Sequence, residues 1–379
     1  MERVLGRLGR AGPGLPTLVV VGGVHGNEPA GVEASQRVAQ ALAPREESLR
    51  GEVVFVAGNL QALALGQRFV DRDLNRAWTS AGVAALLERV NGVGSSQSAE
   101  DAEQQELLVL LDGILDEAPG PVFCLDIHTT SGIGGAFSTV ADTLRNRAIA
   151  LSLPVPLVLG LEELVEGTLH EYLGTRGCIT LAFESGQHAE SRAVDRAEAG
   201  IWIILAAAGL VLESDLPELA PARKALAKDS TKLPRVLEMR YRHAVEDDDA
   251  FRMRPGYANF QVVRRGEPVA DDSDGPVTVL EESRLLMPLY QDQGQDGFFL
   301  VREFSAFWLS ASRALRAIGF GRYVHWLPGI RIHPTQADAL VVNRRVARFY
   351  ALQVLHLLGY RRELDDGETL VVLRQSHHE

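Results

Sequence analysis

The sequence predicts an α/β protein whose mainly parallel or mixed sheet is flanked by helices, followed by a smaller β-rich domain and a helical C-terminal extension. Three observations support this prediction. In the first half of the chain, short apolar runs alternate with longer helical segments. The apolar runs are nearly continuous, as is typical of strands buried on both faces of a parallel sheet. After Leu216 the alternation stops, and short strand-like runs separated by turn residues begin.

The predicted elements of the first half follow one another in strict alternation. The strands are predicted at TLVVVGG, GEVVFVAG, PVFCLDIH, VPLVLGL and CITLAFESG, and the intervening helices at PAGVEASQRVAQALA, AEQQELLVLLDGILDEA, DTLRNRAIALSL, TLHEYLG and AVDRAEAGIWIILAAAGL. The apolar run from Gly200 to Leu212 is shorter than the ~20 residues that cross a bilayer. We therefore expect it to be a buried core helix.

The second half is predicted to contain two further units. A charged, proline-containing stretch from Asp215 to Pro234 is predicted to be a linker. It separates an α/β domain at 1–215 from a β-rich domain at 235–303, which we expect to overhang the functional cleft of the α/β domain. Residues 304–379 are predicted to form an α+β extension with helices at AFWLSASRALRAIG and ADALVVNRRVARFYALQVLHLLG and a final strand at ETLVVLR.

Composition restricts the classes of partner. The chain has 379 residues and a formal net charge of -12, which argues against nucleic acid and anionic membranes as partners. The N-terminus has no apolar segment like that of a secretory signal, so we expect a cytoplasmic protein. Cys124 and Cys178 both lie in apolar runs, and no disulfide framework is expected.

The first candidate ligands follow the first buried strand. The run VVVGGVHGNEPAG places His25 and Glu28 three residues apart, directly after a glycine pair and just before Pro29, a residue suited to begin a helix. In open α/β sheets, ligands bind at the carboxyl ends of the strands. Imidazole nitrogen and carboxylate oxygen are both zinc ligands, so these two residues suggest part of a zinc site.

A third ligand is expected from the strand PVFCLDIH. His128 ends this strand, and Asp126 lies two residues earlier on the same face, where a carboxylate could orient a ligand. A lone histidine is usually not a metal ligand, and His170 and His188 are weaker alternatives in the same half of the chain.

Glu184 follows a third apolar strand and precedes Ser-Gly. Taken alone, it could be a carboxylate that favours the start of a helix through the helix dipole. Three strand ends of one predicted sheet each supply a histidine or a glutamate, and this coincidence is less easily explained by chance than one carboxylate alone.

The segment GQRFVDRDLNRAW carries three arginines at helix-like spacing and an asparagine: Arg68, Arg72, Arg76 and Asn75. One interpretation is an ordinary surface cluster in which Asp71 and Asp73 neutralise the arginines. The other is a clamp for a substrate carboxylate, because guanidinium groups bind carboxylates through paired hydrogen bonds. We expect the clamp for Arg68 and Arg76, and ion pairing for Arg72.

The motifs GGVHGNEPAG, GQRFVDRDLNRAW, DIHTTSG and LAFESGQ, in this order and at these intervals, resemble the succinylglutamate desuccinylase/aspartoacylase family, a branch of the zinc carboxypeptidase-like fold. The resemblance extends over roughly residues 15–300, and the chain after about Phe304 is longer than the family pattern requires. It implies one Zn²⁺ per chain bound by His25, Glu28 and His128. It also implies that Glu184 activates water and that Arg68, Asn75 and Arg76 contact the substrate.

The function implied by the resemblance is hydrolysis of a small anionic N-acyl amino acid of the succinylglutamate or acetylaspartate type. Two family residues have no aligned counterpart, and Arg176 and Tyr290 are the nearest candidates. A zinc carboxypeptidase acting on peptides and a non-catalytic zinc-binding protein are the alternatives. The expected partner is the small substrate alone, and an assembly of identical copies is compatible with this sequence.

Overall fold

The computed structural model describes residues 1–90, 98–161, 164–246, 248–334, 339–343, 355, 358, 360–365 and 369–374. The strands in these residues are β1 Val4–Gly9, β2 Thr17–Gly22, β3 Glu52–Ala57, β4 Val122–Thr130, β5 Phe137–Val140, β6 Leu157–Leu159, β7 Ile179–Gln187, β8 Val236–Ala244, β9 Arg252–Met253, β10 Val262–Val263, β11 Pro268–Asp272, β12 Gly275–Thr278, β13 Ser283–Leu286, β14 Asp296–Glu303, β15 Ile330–Ile332, β16 Ala339–Asn343, β17 Tyr360–Asp365 and β18 Thr369–Arg374. The helices are α1 Ala30–Leu42, α2 Leu60–Leu65, α3 Ser80–Val90, α4 Ala99–Glu117, α5 Leu144–Ala150, α6 Leu169–Thr175, α7 Ser191–Ala207, α8 Leu219–Ser230 and α9 Ala306–Ala317.

The largest sheet among the described residues has eleven strands in the order β1-β3-β2-β4-β7-β5-β6-β8-β14-β13-β10. β2 pairs in parallel with both β3 and β4, and β4 pairs in parallel with β7. Antiparallel pairs occur at β1–β3, in the middle of the sheet at β7–β5, and from β8 to β10. The predicted mixed sheet flanked by helices is confirmed.

Strand β2 shows how the sequence fills both faces of this sheet. Successive side chains of a strand point to opposite faces. Leu18 and Val20 pack with the apolar residues of α1, α5, α7 and α8, whereas Val19 and Val21 pack with those of α4 and α6. A continuous apolar strand is therefore required here, because both of its faces are covered by helices.

The strands after residue 235 extend the same sheet. β8 pairs in parallel with β6, and β14, β13 and β10 follow it as antiparallel neighbours. β9, β11 and β12 form a separate three-stranded sheet. The β-rich character of this stretch agrees with the sequence, and the proposed domain boundaries stay a prediction.

The expectation of a linker from Asp215 to Pro234 is wrong, because most of this stretch is the helix α8, which packs on α7. Leu219, Ala222 and Leu226 are buried and form one stripe of the helix. Pro221 lies in the first turn, where a helix tolerates the missing N–H.

The C-terminal extension agrees with the sequence in part. α9 and the final strand β18 were both expected. The second predicted helix, from Ala337 to Gly359, is wrong at Ala339–Asn343, which form β16 between β15 and β18. Its three consecutive aliphatic residues, two of them β-branched, favour a strand. Most of the remainder of that predicted helix lies outside the described residues.

Two further expectations concern single features. The run from Gly200 to Leu212 contributes to α7, whose residues Ile201–Leu205 are buried. Cys124 and Cys178 are buried and unbridged. No helix in the described part of the chain is both long and apolar enough to span a bilayer.

Candidate metal and active site

The turn between β2 and α1 carries the first two candidate ligands. Gly23 adopts a φ of 71°, a left-handed conformation that glycine reaches without strain. Gly31 lies so close to β2 that a Cβ there would come within 3.0 Å of the Cα of Gly22. The N–H of Glu28 then donates to the carbonyl of His25 at 3.1 Å, and α1 begins at Ala30. This tight turn brings both side chains back over the end of the sheet.

His25, Glu28 and His128 come together at that end. Nδ1 of His25 lies 2.9 Å from Oε1 of Glu28, and Nδ1 of His128 lies 3.1 Å from Oε2 of the same carboxylate. One ligand atom from each residue lies within 4.8 Å of the other two. All three side chains are buried. Among the described residues, this is the one such group of three or more with a geometry suited to a metal ion.

Each histidine of this group has an aspartate on its far side. Nε2 of His25 is hydrogen-bonded to Oδ1 of Asp73 at 3.1 Å, and Nε2 of His128 lies 3.0 Å from Oδ2 of Asp126. Asp73 is hydrogen-bonded to His25, whereas Asp126 lies within ion-pair distance of His128 but without hydrogen-bond geometry. A carboxylate in either position favours a proton on Nε2 and a lone pair on Nδ1. Both lone pairs then face Glu28 oxygens, an arrangement that a cation between them stabilises. The donor set therefore fits Zn²⁺, which accepts imidazole and carboxylate ligands.

The charge state of Glu28 supports the same assignment. Burial by itself would raise the pKa of Glu28, but the neighbouring His25 and His128 outweigh burial and hold this pKa well below its usual range. The carboxylate is thus ionised and suited to bind a cation. Its Oε2 also accepts the N–H of Thr129, which fixes its orientation.

Glu184 lies on β7 directly beside His128 on β4 in the parallel register. Burial, reinforced by the carboxylates of Glu28 and Asp126, raises the pKa of Glu184 to about 8 despite the opposing effect of His128. Its Oε2 is buried and has no hydrogen-bond partner among the described residues. A carboxyl group with a pKa near neutrality is suited to accept and return a proton.

Arg68 and Arg72 occupy different environments. Arg68 lines the cavity and donates through Nε and Nη2 to Oδ2 of Asp73, while its Nη1 lies 3.6 Å from Oε1 of Glu28. Arg72 pairs with Asp101 instead, away from the cavity. Asp71, considered as a partner of these arginines, accepts the N–H of Ala99.

Asn75 and Arg76 both line the cavity. Oδ1 of Asn75 accepts the N–H of Leu169 at 2.9 Å, which ties it to the start of α6. Arg76 donates from Nη2 to Oδ2 of Asp296 at 2.5 Å, while its buried Nε has no partner among the described residues. Asp296 also accepts from Nε of Arg242 at 2.5 Å.

These side chains line one cavity, whose empty space including its opening to solvent is about 760 Å³. His170 and His188, considered above as weaker candidates, line it as well. Nε2 of His188 donates to Oε1 of Gln291 at 3.0 Å, and its Nδ1 is hydrogen-bonded to Oγ1 of Thr129 at 2.7 Å. His170 has a buried Nδ1 without a partner among the described residues, and burial lowers its pKa to about 4.

Sequence reasoning missed Asp296 altogether and considered Asp73 only as a partner for arginine. Asp73 precedes a short irregular helical turn, and Asp296 begins a strand far along the chain, so neither follows a buried strand end. Arg176 pairs with Asp112 on the surface, and the Tyr290 hydroxyl donates to the carbonyl of Arg254. Neither of these two residues is among those that line the cavity.

Comparison with known proteins finds a family to which part of this chain is similar. Residues 14–154 match the sequence model of the succinylglutamate desuccinylase/aspartoacylase catalytic domain. The resemblance to the succinylglutamate desuccinylase/aspartoacylase family is confirmed. The matched segment contains His25, Glu28 and His128, and it ends before Glu184.

Two succinylglutamate desuccinylases illustrate the likeness within the family. The enzyme of Pseudomonas paraeruginosa is 33% identical over 105 residues, which are 25% of this chain and 32% of that protein. The enzyme of Burkholderia lata is 24% identical over 286 residues, which are 72% of this chain and 74% of that protein. The match to the first thus spans about a third of its length.

The crystal structure of succinylglutamate desuccinylase/aspartoacylase from Rhodobacter sphaeroides has the same fold. It superposes with a TM-score of 0.55 at 20% identity and covers 79% of this chain and 88% of that chain. The similarity is one of fold, a mixed sheet with flanking helices.

Proposed function

We propose that this protein is a zinc-dependent amide hydrolase that removes the acyl group from a small N-acyl amino acid. The observation that carries the proposal is the Glu184 carboxyl, with its buried Oε2, beside the His25–Glu28–His128 group in one cavity. Members of the family act on N-acyl amino acids.

His25, Glu28 and His128 would hold the zinc ion, with Asp73 and Asp126 orienting the two imidazoles. Three protein ligands are typical of catalytic zinc, which supplies Lewis-acid polarisation of the scissile carbonyl and lowers the pKa of a water molecule. Buried surroundings strengthen these electrostatic effects.

Glu184 is the proposed proton carrier. Its carboxylate takes a proton from the attacking water, and the resulting carboxylic acid gives a proton to the nitrogen of the leaving amino acid. Burial raises the pKa of Glu184, which favours uptake of the proton from water. The unpartnered Oε2 is available for this transfer.

Arg68, Asn75 and Arg76 are the proposed substrate contacts. The Nε of Arg76 is a buried donor without a partner among the described residues, so a substrate carboxylate would satisfy it. The oxygen of the Asn75 side chain accepts the N–H of Leu169, and its amide nitrogen is the proposed donor to the substrate. Nε and Nη2 of Arg68 donate to Asp73, so Nη1, which lies 3.6 Å from Oε1 of Glu28, is the donor proposed for the substrate.

The experiment is a panel of N-acyl amino acids incubated with the zinc-loaded protein, with detection of the released amine. We expect amine release that stops when a chelator removes the metal and returns when zinc is added back. Absence of release from every compound at full zinc occupancy contradicts the proposal. Faster release of C-terminal residues from peptides would favour the carboxypeptidase alternative.

A further inference from the structure

The positive charges in the cavity are largely neutralised by the protein itself. Arg68 is paired with Asp73 through two donors and lies close to Glu28. Arg76 and Arg242 share the single carboxylate of Asp296, so these three groups together carry one net positive charge. Arg242 lies behind Asp296 and does not itself line the cavity. Apart from the proposed zinc ion and its ligands, the described arginines thus leave an excess of one positive charge, which suits one substrate carboxylate.

His170 does not add to this positive charge. Its side chain is buried in the cavity lining, and its pKa lies well below neutral. It provides a neutral hydrogen-bonding group through Nδ1, which has no partner among the described residues. A neutral imidazole binds a carbonyl or amide but does not compensate a second carboxylate.

Another part of the lining is apolar. Leu161, Val165, Met287 and Phe299, called here the apolar wall, all belong to one continuous hydrophobic cluster. Phe299 and Asp296 both face the cavity although they are three residues apart on β14. A β-bulge between Asp296 and Phe298 accounts for this, because an extra residue re-aims the side chains that follow.

We propose that the pocket selects N-acyl amino acids that carry a single carboxylate and whose other end, side chain or acyl tail, is apolar and packs on the apolar wall. This inference rests on the proposed function and narrows its substrate class. A second carboxylate would lose its hydration without gaining a counter-charge, whereas an apolar group would gain from burial. Substrates with two or three carboxylates, of the acetylaspartate or succinylglutamate type, are then the poorer ones.

The first test compares N-acetyl-L-leucine, N-acetyl-L-asparagine and N-acetyl-L-aspartate, whose side chains have equal numbers of heavy atoms. Binding to zinc-loaded Glu184→Gln protein is measured by calorimetry at neutral pH, which separates affinity from turnover. We expect the leucine compound to bind about tenfold or more tighter than the aspartate compound, with the asparagine compound between them. Equal or tighter binding of the aspartate compound, or no binding of any of the three, overturns the inference.

The second test repeats the comparison at the acyl end. N-succinyl-L-leucine and N-(4-methylpentanoyl)-L-leucine differ mainly in whether the acyl tail ends in a carboxylate or in two methyl groups. The methyl-ended compound should bind more tightly, and tighter binding of the succinyl compound overturns the inference. Wild-type protein that binds in this order but releases no amine would contradict the proposed function and leave the specificity inference standing.

The third test removes the negative charge of Asp296, which compensates the charges of Arg76 and Arg242. In the Glu184→Gln background, Asp296→Asn should shift the leucine-to-aspartate preference towards aspartate by about tenfold, since two arginines lose their shared counter-charge. The matched control is Asp229→Asn, because Asp229 also bridges two arginines and its side chain is equally exposed at 15%. An unchanged preference in Asp296→Asn, or an equal shift in Asp229→Asn, overturns the charge argument.

Discussion

Nδ1 of His128 lies 3.1 Å from Oε2 of Glu28, a residue 100 positions earlier in the chain. The two residues meet because β2 and β4 are adjacent and parallel, so the loop after β2 and the end of β4 reach the same edge of the sheet. The site geometry thus depends on strand order rather than on local sequence. Four predictions follow from this site and from its surroundings.

Replacement of His128 by alanine should abolish stoichiometric zinc binding, because it removes one of three proposed ligands. The matched control is His170→Ala, since His170 is a buried histidine in the same cavity but outside the ligand group. Metal content measured by elemental analysis should fall only in the first variant. Full occupancy in His128→Ala, or equal loss in both variants, would contradict the ligand assignment.

Replacement of Glu184 by glutamine should leave zinc bound and lower kcat by about 10²–10⁴-fold, the usual contribution of general acid–base catalysis. Glutamine keeps the shape of the side chain but cannot carry the proton. Glu190→Gln is the control, because Glu190 pairs with Arg196 and does not line the cavity. Steady-state kinetics at equal zinc content decide the matter, and near-normal turnover in Glu184→Gln would assign the proton transfer to another group.

Replacement of Asp126 by asparagine should weaken zinc binding about 10–100-fold, as is typical when a carboxylate behind a metal-bound histidine is lost. Asp126 is fully buried and lies 3.0 Å from Nε2 of His128. Competition with a chelator of known affinity measures the change. Asp112→Asn serves as the control, since Asp112 pairs with Arg176 on the surface. Equal zinc affinity in the wild type and in Asp126→Asn would contradict the proposal that Asp126 orients His128.

Asp101 should contribute stability that depends on pH. Burial raises the pKa of Asp101, but hydrogen bonds from Arg89 and from the Ser98 N–H, with the charge of Arg72, outweigh burial and lower this pKa. The stabilisation is therefore complete above the unfolded-state pKa of about 3.9 and is lost as the pH falls through the lower pKa of the folded state. The free energy of unfolding in urea should differ between wild type and Asp101→Asn at pH 6, and this difference should shrink below pH 4.

The control for this prediction is Ser98→Ala, which removes the other half of the same helix cap. This substitution should lower the free energy of unfolding by about 1 kcal/mol. Serine carries no titrating charge, so the cost should vary little with pH. If the free energy of unfolding differs between wild type and Asp101→Asn by the same amount from pH 6 to pH 3, the charge of Asp101 does not contribute to stability.

The central part of the fold could be predicted because its signals are local. Apolar runs such as Thr17–Gly22 are buried on both faces, and a side chain placed just after such a run must lie at the end of the sheet. His25, His128 and Glu184 were identified on that basis. The structure brings all three to the same cavity.

What the sequence did not reveal depends on contacts between distant segments. Asp296 reaches the cavity only because β14 lies beside β8 in the same sheet, and no feature of its own neighbourhood indicates this. The helix α8 was mistaken for a linker because its charged residues mask a short apolar stripe. Ala339–Asn343 were mistaken for helix because strand pairing with β15 and β18 decides their conformation.

The lining of the cavity comes from two stretches of the chain. The groups proposed for the chemistry lie between His25 and Glu184, whereas part of the remaining lining, including Met287, Gln291, Asp296 and Phe299, comes from residues after 235. Substitutions in the later stretch can therefore alter which molecule is accepted while leaving the reacting groups in place. A protein with this arrangement can acquire new substrates during evolution while its catalytic residues stay unchanged. Directed evolution of specificity should therefore begin with the residues after 235.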